Sequence, residues 1–173
     1  MSIENVTVDF TENTNINTLF STITFRINTQ IYALNILNIR DIVMGTKIYR
    51  IPNSDEILMG ITNIRGEILP VYSLKKILGL EEQITIDKYP VLINCQHDEY
   101  LIIIKHESYL FAINVDHIDK NISVTTENYN PVNYMSKWTQ NSIFSGIIID
   151  NADNILIIDI PSLIQILIKN IIK

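Results

Sequence analysis

From Ser21 the chain alternates apolar and polar residues. Ile23, Phe25 and Ile27 share one strand face, and Tyr32, Leu34 and Ile36 follow the polar Asn28-Thr29-Gln30 turn, which predicts a hairpin. Ile57 to Ile64 and Ile68 to Tyr72 predict a second strand pair around Arg65-Gly66-Glu67, where Gly66 can take the positive φ of a tight turn. The period then changes from two to that of a helix. Ser73 stands as N-cap, Leu74, Ile77 and Leu78 line one helical face, and Gly79 stops it. Polar residues Glu81 to Lys88 read as a linker. Strand character returns at Val91 to Asn94, Tyr100 to Ile104, Leu110 to Val115, Ile143 to Ile149 and Ile155 to Ile158. Pro161 to Lys173 has Leu163, Ile164, Leu167, Ile168 and Ile171 at helical spacing. Residues 1–20, rich in Asn and Thr and without a period, read as a flexible tail.

The two halves resemble each other. Tyr32-Ala33-Leu34-Asn35-Ile36 lies on Phe111-Ala112-Ile113-Asn114-Val115 at an offset of 79, and Gly60-Ile61 through Ser73-Leu74 lies on Gly146-Ile147 through Asp159-Ile160 at an offset of 86. Ser73 and Asp159 fall at equivalent N-cap positions. Halves this short are marginal alone, so they should pack together as small barrels, with a binding groove at their junction. The expected organisation is the tail at 1–20 and one domain at 21–173. Within it, one subdomain covers about 21–88, a second about 89–160, and a C-terminal helix about 161–173.

Composition narrows the function classes. The chain has 173 residues and a formal charge of −6, with no stripe of Lys and Arg, which argues against a nucleic-acid partner. The longest apolar run, Ile155 to Ile168, is interrupted by Asp159, Pro161, Ser162 and Gln165 and is too short and polar to span a bilayer. Cys95 stands alone, so no internal disulfide can form, and a cytoplasmic location is expected. The 37 Ile against 3 Ala favour strands over helices; the 19 Asn have no evident cause in the sequence.

No catalytic constellation emerges. His97, His106 and His117, with Cys95, lack metal-ligand spacing, and there is neither a nucleophile elbow nor a glycine-rich phosphate loop. Asp116, His117 and Asp119 read as a polar turn at a strand end, and Trp138 as either a core plug or an exposed contact. Arg65 resists a bland reading: beside Gly66 at a hairpin tip, it could fold back onto a carboxylate or contact a partner. Arg40-Asp41, among Ile39, Ile42 and Val43, reads as a surface corner that would equally suit a protein partner. A small β-barrel enzyme or ligand-binding domain is the competing class, and it would need converging polar groups in a pocket.

The run Tyr32-Ala33-Leu34-Asn35-Ile36, then Ile39-Arg40-Asp41, then Gly60-Ile61-Thr62-Asn63-Ile64-Arg65-Gly66-Glu67-Ile68-Leu69-Pro70-Val71, resembles the CheW-like domain of bacterial chemotaxis coupling proteins. Phe111 to Asp116 and Gly146 to Leu163 are similar to the rest of it, so the resemblance covers roughly Ser21 to Lys169. It implies an all-β-dominated fold of two five-stranded SH3-like barrels with short connecting helices and a C-terminal helix. It also implies a non-enzymatic adaptor that couples the cytoplasmic tips of methyl-accepting chemoreceptors to the regulatory domain of the histidine kinase CheA. Such a protein needs no cofactor or metal, does not insert into the membrane, and sits in the cytoplasm at receptor arrays. Carried over by position, the receptor-binding residues would be Ile39, Asp41, Arg65, Val115 and Asp116. Asp41 stands where the family usually has Glu, Ser73 where it has Asp, and the stretch from Leu80 to Tyr100 is longer than usual. Asp41 and the long linker favour, as the alternative, a paralogue serving another receptor set or a non-flagellar pathway.

Overall fold

The computed structural model describes residues 17–80, 92–94, 99–131 and 143–171, with backbone only for 92–94 and 171. In chain order come β1 (Thr18–Ile27), β2 (Gln30–Asn35), a 3-10 turn (Ile36–Asn38), β3 (Ile39–Met44), β4 (Lys47–Tyr49), β5 (Leu58–Ile64), β6 (Glu67–Ser73) and α1 (Leu74–Ile77). Then follow β7 (Leu92–Asn94), β8 (Tyr100–His106), β9 (Tyr109–Val115), β10 (His117–Thr125), β11 (Tyr129–Pro131), β12 (Phe144–Asp150), β13 (Asp153–Ile158) and α2 (Ile160–Ile171).

Two sheets result, ordered β10-β1-β2-β13-β12-β11 and β3-β8-β9-β6-β5-β4-β7. Both must curl. In the second, β3 and β4 lie far apart in the order, yet only Gly45 and Thr46 join them; in the first, β10 and β11 form opposite edges three residues apart in the chain. Such short connections are possible only if each sheet bends until its ends approach. The expected all-β-dominated fold of two curled, SH3-like units holds, with six and seven strands in the two sheets among the described residues. The strands beyond five are the three-residue β4, β7 and β11; five longer strands form the body of each sheet.

The internal repeat is real but does not divide the molecule. β2 and β9, the repeated aromatic-Ala strands, each take a parallel partner from the other half of the chain. Ala33 pairs with Ile157 of β13, and Ala112 pairs with Val71 of β6. The offsets of 79 and 86 carry one pair onto the other. The expected division at about residue 88 is therefore corrected as a spatial boundary. The first sheet unites 18–35 with 117–158, and the second unites 39–73 with 92–115. A repeat reveals which segments are equivalent; it carries no information on whether each pairs within its own copy or with the other.

Packing follows from this exchange. One core cluster lies between the sheets, with Phe25, Tyr32 and Leu34 from the first and Tyr72, Ile102, Ile104, Phe111 and Ile113 from the second. Leu163, Ile164 and Leu167 of α2 pack against it. A second cluster fills the curl of the seven-stranded sheet (Ile48, Ile64, Leu69, Val71, Leu101, Ile103, Ala112), and a third the six-stranded one (Ala33, Val124, Ile148, Ile155, Ile157). β8 is apolar without alternation because both faces are covered: Ile102 and Ile104 face the shared core, Leu101 and Ile103 the curl.

Several local expectations are met. Ser73 Oγ accepts the Lys76 N–H, Asp159 Oδ2 accepts the Ser162 N–H at 3.0 Å, and Gly79 follows α1 at φ 68°. Asn28, Asn53 and Asn151 hold left-handed turn positions, which accounts for part of the asparagine excess. The tail is shorter than expected. β1 begins at Thr18, paired with Thr125, and the Phe20 ring packs edge-on against Tyr129; residues 1–16 lie outside the described set. The proposed turn at Asp116 to Asp119 is instead the start of β10, held against β1 by Thr22 and Thr24 hydroxyls that donate to Ile122 and Lys120 carbonyls. Trp138, Cys95, His97 and the linker Glu81 to Lys88 fall outside the described residues.

Burial raises the pKa of Tyr32 and Tyr72 above the ordinary 10.0, because an ionised phenol would lose its hydration. The unfolded chain would then release these protons first as pH rises. The stability gained by keeping the hydroxyls neutral is complete below pH 10 and is lost above it. We expect alkaline unfolding to set in just above pH 10 and to shift upward in Tyr32→Phe, as measured by denaturant midpoints across pH 8–11.

Candidate partner-binding site

The five expected site residues divide into two groups. Ile39 and Asp41 begin β3 beside a bulge, opposite Ile104 and Ile103 of β8, and Arg65 occupies the β5–β6 tip. Asp41 and Arg65 come together, with Ile39 two residues before Asp41 on the same strand. The Asp41 carboxylate receives the Arg65 guanidinium at 3.1 Å, although β3 and β6 are three strands apart in the sheet order. Next to it, Arg40 Nη1 meets Glu67 Oε2 at 2.6 Å. The two pairs bridge the curl at its end, so the charged corner and the hairpin tip are one feature. Arg65 needs its left-handed φ of 51° to sit there, and Asn63 supports the turn by accepting the Gly66 N–H. Its side chain remains 81% exposed, so the guanidinium keeps most of its surface for another contact.

Val115 and Asp116 lie elsewhere. β6 and β9 run parallel with Val71 level with Ala112, which puts Asp116 roughly eight positions, or roughly 26 Å, beyond the level of Glu67. Val115 is fully buried in the shared core and presents no surface. Asp116 has both oxygens engaged: Oδ1 meets Lys75 Nζ of α1 at 2.6 Å, and Oδ2 accepts the Asn28 N–H at 2.7 Å. It ties the β1–β2 turn to the helix of the opposite sheet.

The Arg65 end also carries apolar residues that sequence reasoning passed over. Leu37 in the 3-10 turn is 83% exposed, Ile68 at the start of β6 is 68% exposed, and Tyr109 opens β9. By the β6–β9 register Ile68 and Tyr109 are level, and Tyr109 pairs with His106, whose Nδ1 lies 2.9 Å from Asn38 Oδ1 beside Leu37. The signal was present in the sequence as apolar residues at positions whose strand partners face the core. Ile68 alternates with the buried Leu69, and without the pairing either could have been the inward one.

The geometry defines a strand-exchanged pair of curled sheets, with exposed apolar side chains beside ion pairs that bridge the curl of one sheet: a scaffold shaped for contact with other proteins. Among the described residues no helix is long and apolar enough to cross a membrane. The CheW-like domain profile matches residues 21–167, and the chain belongs to that family. The chemotaxis protein CheW of Treponema pallidum is 25% identical over 147 residues, covering 83% of this chain and 81% of that protein. A probable chemotaxis protein CheW of Rhizobium etli is 26% identical over 141 residues, covering 82% and 84%. The crystal structure of the scaffolding protein TtCheW from Thermoanaerobacter tengcongensis has the same fold. Its TM-score is 0.66 at 24% identity, over 80% of this chain and 88% of that one.

Proposed function

We propose that this chain is a non-enzymatic chemotaxis adaptor that joins the cytoplasmic tips of chemoreceptors to the histidine kinase CheA and passes receptor state to kinase activity. The observation that carries this reading is the family match across 21–167, which spans both sheets and so includes every surface that the strand exchange creates. The adaptor works in the cytoplasm at receptor arrays, by binding two partners at once so that a change in one biases the other. We assign receptor contact to the end formed by Ile39, Asp41 and Arg65, with Leu37, Ile68 and Tyr109 as its apolar part.

Arg65→Ala tests the charged part. An exposed ion pair contributes at most about 1 kcal/mol to stability, so the variant should melt close to the parent. Kinase activation in a reconstituted array should nevertheless fall at least about fivefold. A well-folded Arg65→Ala with full activation removes this residue from the coupling surface.

A further inference from the structure

We propose that the cleft between the 53–58 loop and the C-terminal turn of α2 binds a small primary alkylammonium ion, its carbon chain against Ile57 and Leu58 and its charge among the cleft's oxygen acceptors. The cleft has a volume of about 430 Å³ and is lined by Asn53, Ser54, Asp55, Ile57, Leu58, Tyr72 and Asn170. That volume is within the range of small-molecule sites. It lies apart from the ion-paired end assigned to receptor contact.

Tyr72 supplies the first argument. Its ring is packed against Phe111 and the residue is only 6% exposed, yet its hydroxyl makes no hydrogen bond among the described residues. Every fully buried side-chain nitrogen or oxygen among them has a partner, so the hydroxyl is part of the little surface that Tyr72 retains, and that surface lines the cleft. A tyrosine hydroxyl so placed calls for a polar partner.

The remaining groups fix the sign of the charge. Asp55 uses Oδ1 to accept the Ile57 N–H at 2.9 Å, and its second oxygen is unengaged among the described residues. Asn170 donates its amide to the Ile166 carbonyl at 3.1 Å, which leaves the amide oxygen as an acceptor. Ser54 spends its proton on the Ile51 carbonyl at 2.9 Å and likewise keeps lone pairs. Asp55 is the one ionised group among the lining residues, and Asn170 lies in the last turn of α2, where the helix dipole favours a cation. The lone carboxylate and the helix C-terminus disfavour an anion, and the acceptor oxygens of Asp55, Asn170 and Ser54 suit an –NH3+ group, whose three protons need acceptors.

The test is an NMR titration of the full-length protein with butylammonium, and with butyrate and butanol as probes of charge. Amide shifts should concentrate at residues 53–58, 72 and 170 for butylammonium, with millimolar affinity as expected for so small a ligand. Butyrate should give none. Asp55→Asn keeps the turn acceptor but removes the charge, and should weaken binding at least about fivefold; Tyr72→Phe keeps the packed ring and should weaken it about threefold. Equal binding of butyrate, shifts spread over the acidic surface without a focus on the cleft, or unchanged affinity in Asp55→Asn would each overturn the proposal.

Discussion

Gly60→Ala should destabilise the chain by about 3 kcal/mol, and Gly146→Ala by about 2 kcal/mol, measured as the change in denaturant unfolding free energy at constant m. The two glycines are equivalent in the repeat, and each stands at a bulge in a strand that pairs with a three-residue neighbour: β5 with β4, and β12 with β11. A Cβ on Gly60 would lie 2.3 Å from the Tyr49 carbonyl oxygen, and the φ of 149° is itself unsuited to an L side chain. Backbone cannot yield without opening the β4–β5 pairing. On Gly146 the Cβ would meet the Tyr129 ring at 2.3 Å and the Asn130 carbonyl at 2.8 Å. A ring can move more readily than a backbone, so this substitution costs less, and Tyr129→Ala should relieve part of it. Equal stability of Gly60→Ala and the parent would mean that β4 does not pair this closely with β5 at Gly60.

These close pairings also mark how far the sequence could be read. The hairpins, both N-caps and α2 were legible because their signals are local: period two or 3.6, a capping side chain, a glycine stop. β3, β4, β10 and β11 were not. β10 places Lys120 and Asn121 between its apolar residues, and its ladder with β1 is interrupted by a register shift, so the alternation that identifies a strand is broken. Its partner lies about a hundred residues away. Within the candidate site, the return of Arg65 onto a carboxylate was open from its place at a hairpin tip, and Asp41 proves to be that carboxylate. The carry-over of Val115 and Asp116 placed them in the same group as Arg65; the parallel register of β6 and β9 sends them to the far end of the sheet.

Leu37→Asp combined with Ile68→Asp should abolish receptor coupling, with at least about a thirtyfold loss of affinity and a stability within about 1 kcal/mol of the parent. Both side chains are largely in solvent in the free protein, so a carboxylate there keeps its hydration. In a complex it would be buried against apolar partner surface without a counter-charge, and that desolvation is what expels the partner. Ile39→Asp is the less informative variant. Ile39 is only partly exposed and packs against the shared core, so the charge would weaken the fold and the interface together. Affinity for receptor membranes and the melting temperature, measured on the same preparations, separate the two effects. Undiminished affinity in the double variant would exclude this apolar patch from the receptor contact.

In the proposed adaptor, one chain binds receptor and kinase together and thereby sets kinase activity. Co-sedimentation of the purified protein with receptor-containing membranes, with and without CheA, read alongside CheA autophosphorylation, tests it most directly. The adaptor reading predicts that the protein sediments with the membranes, carries CheA down with it and raises autophosphorylation, and that Arg65→Ala reduces the rise. A protein that stays in the supernatant with both partners present, and leaves the kinase rate unchanged, contradicts it.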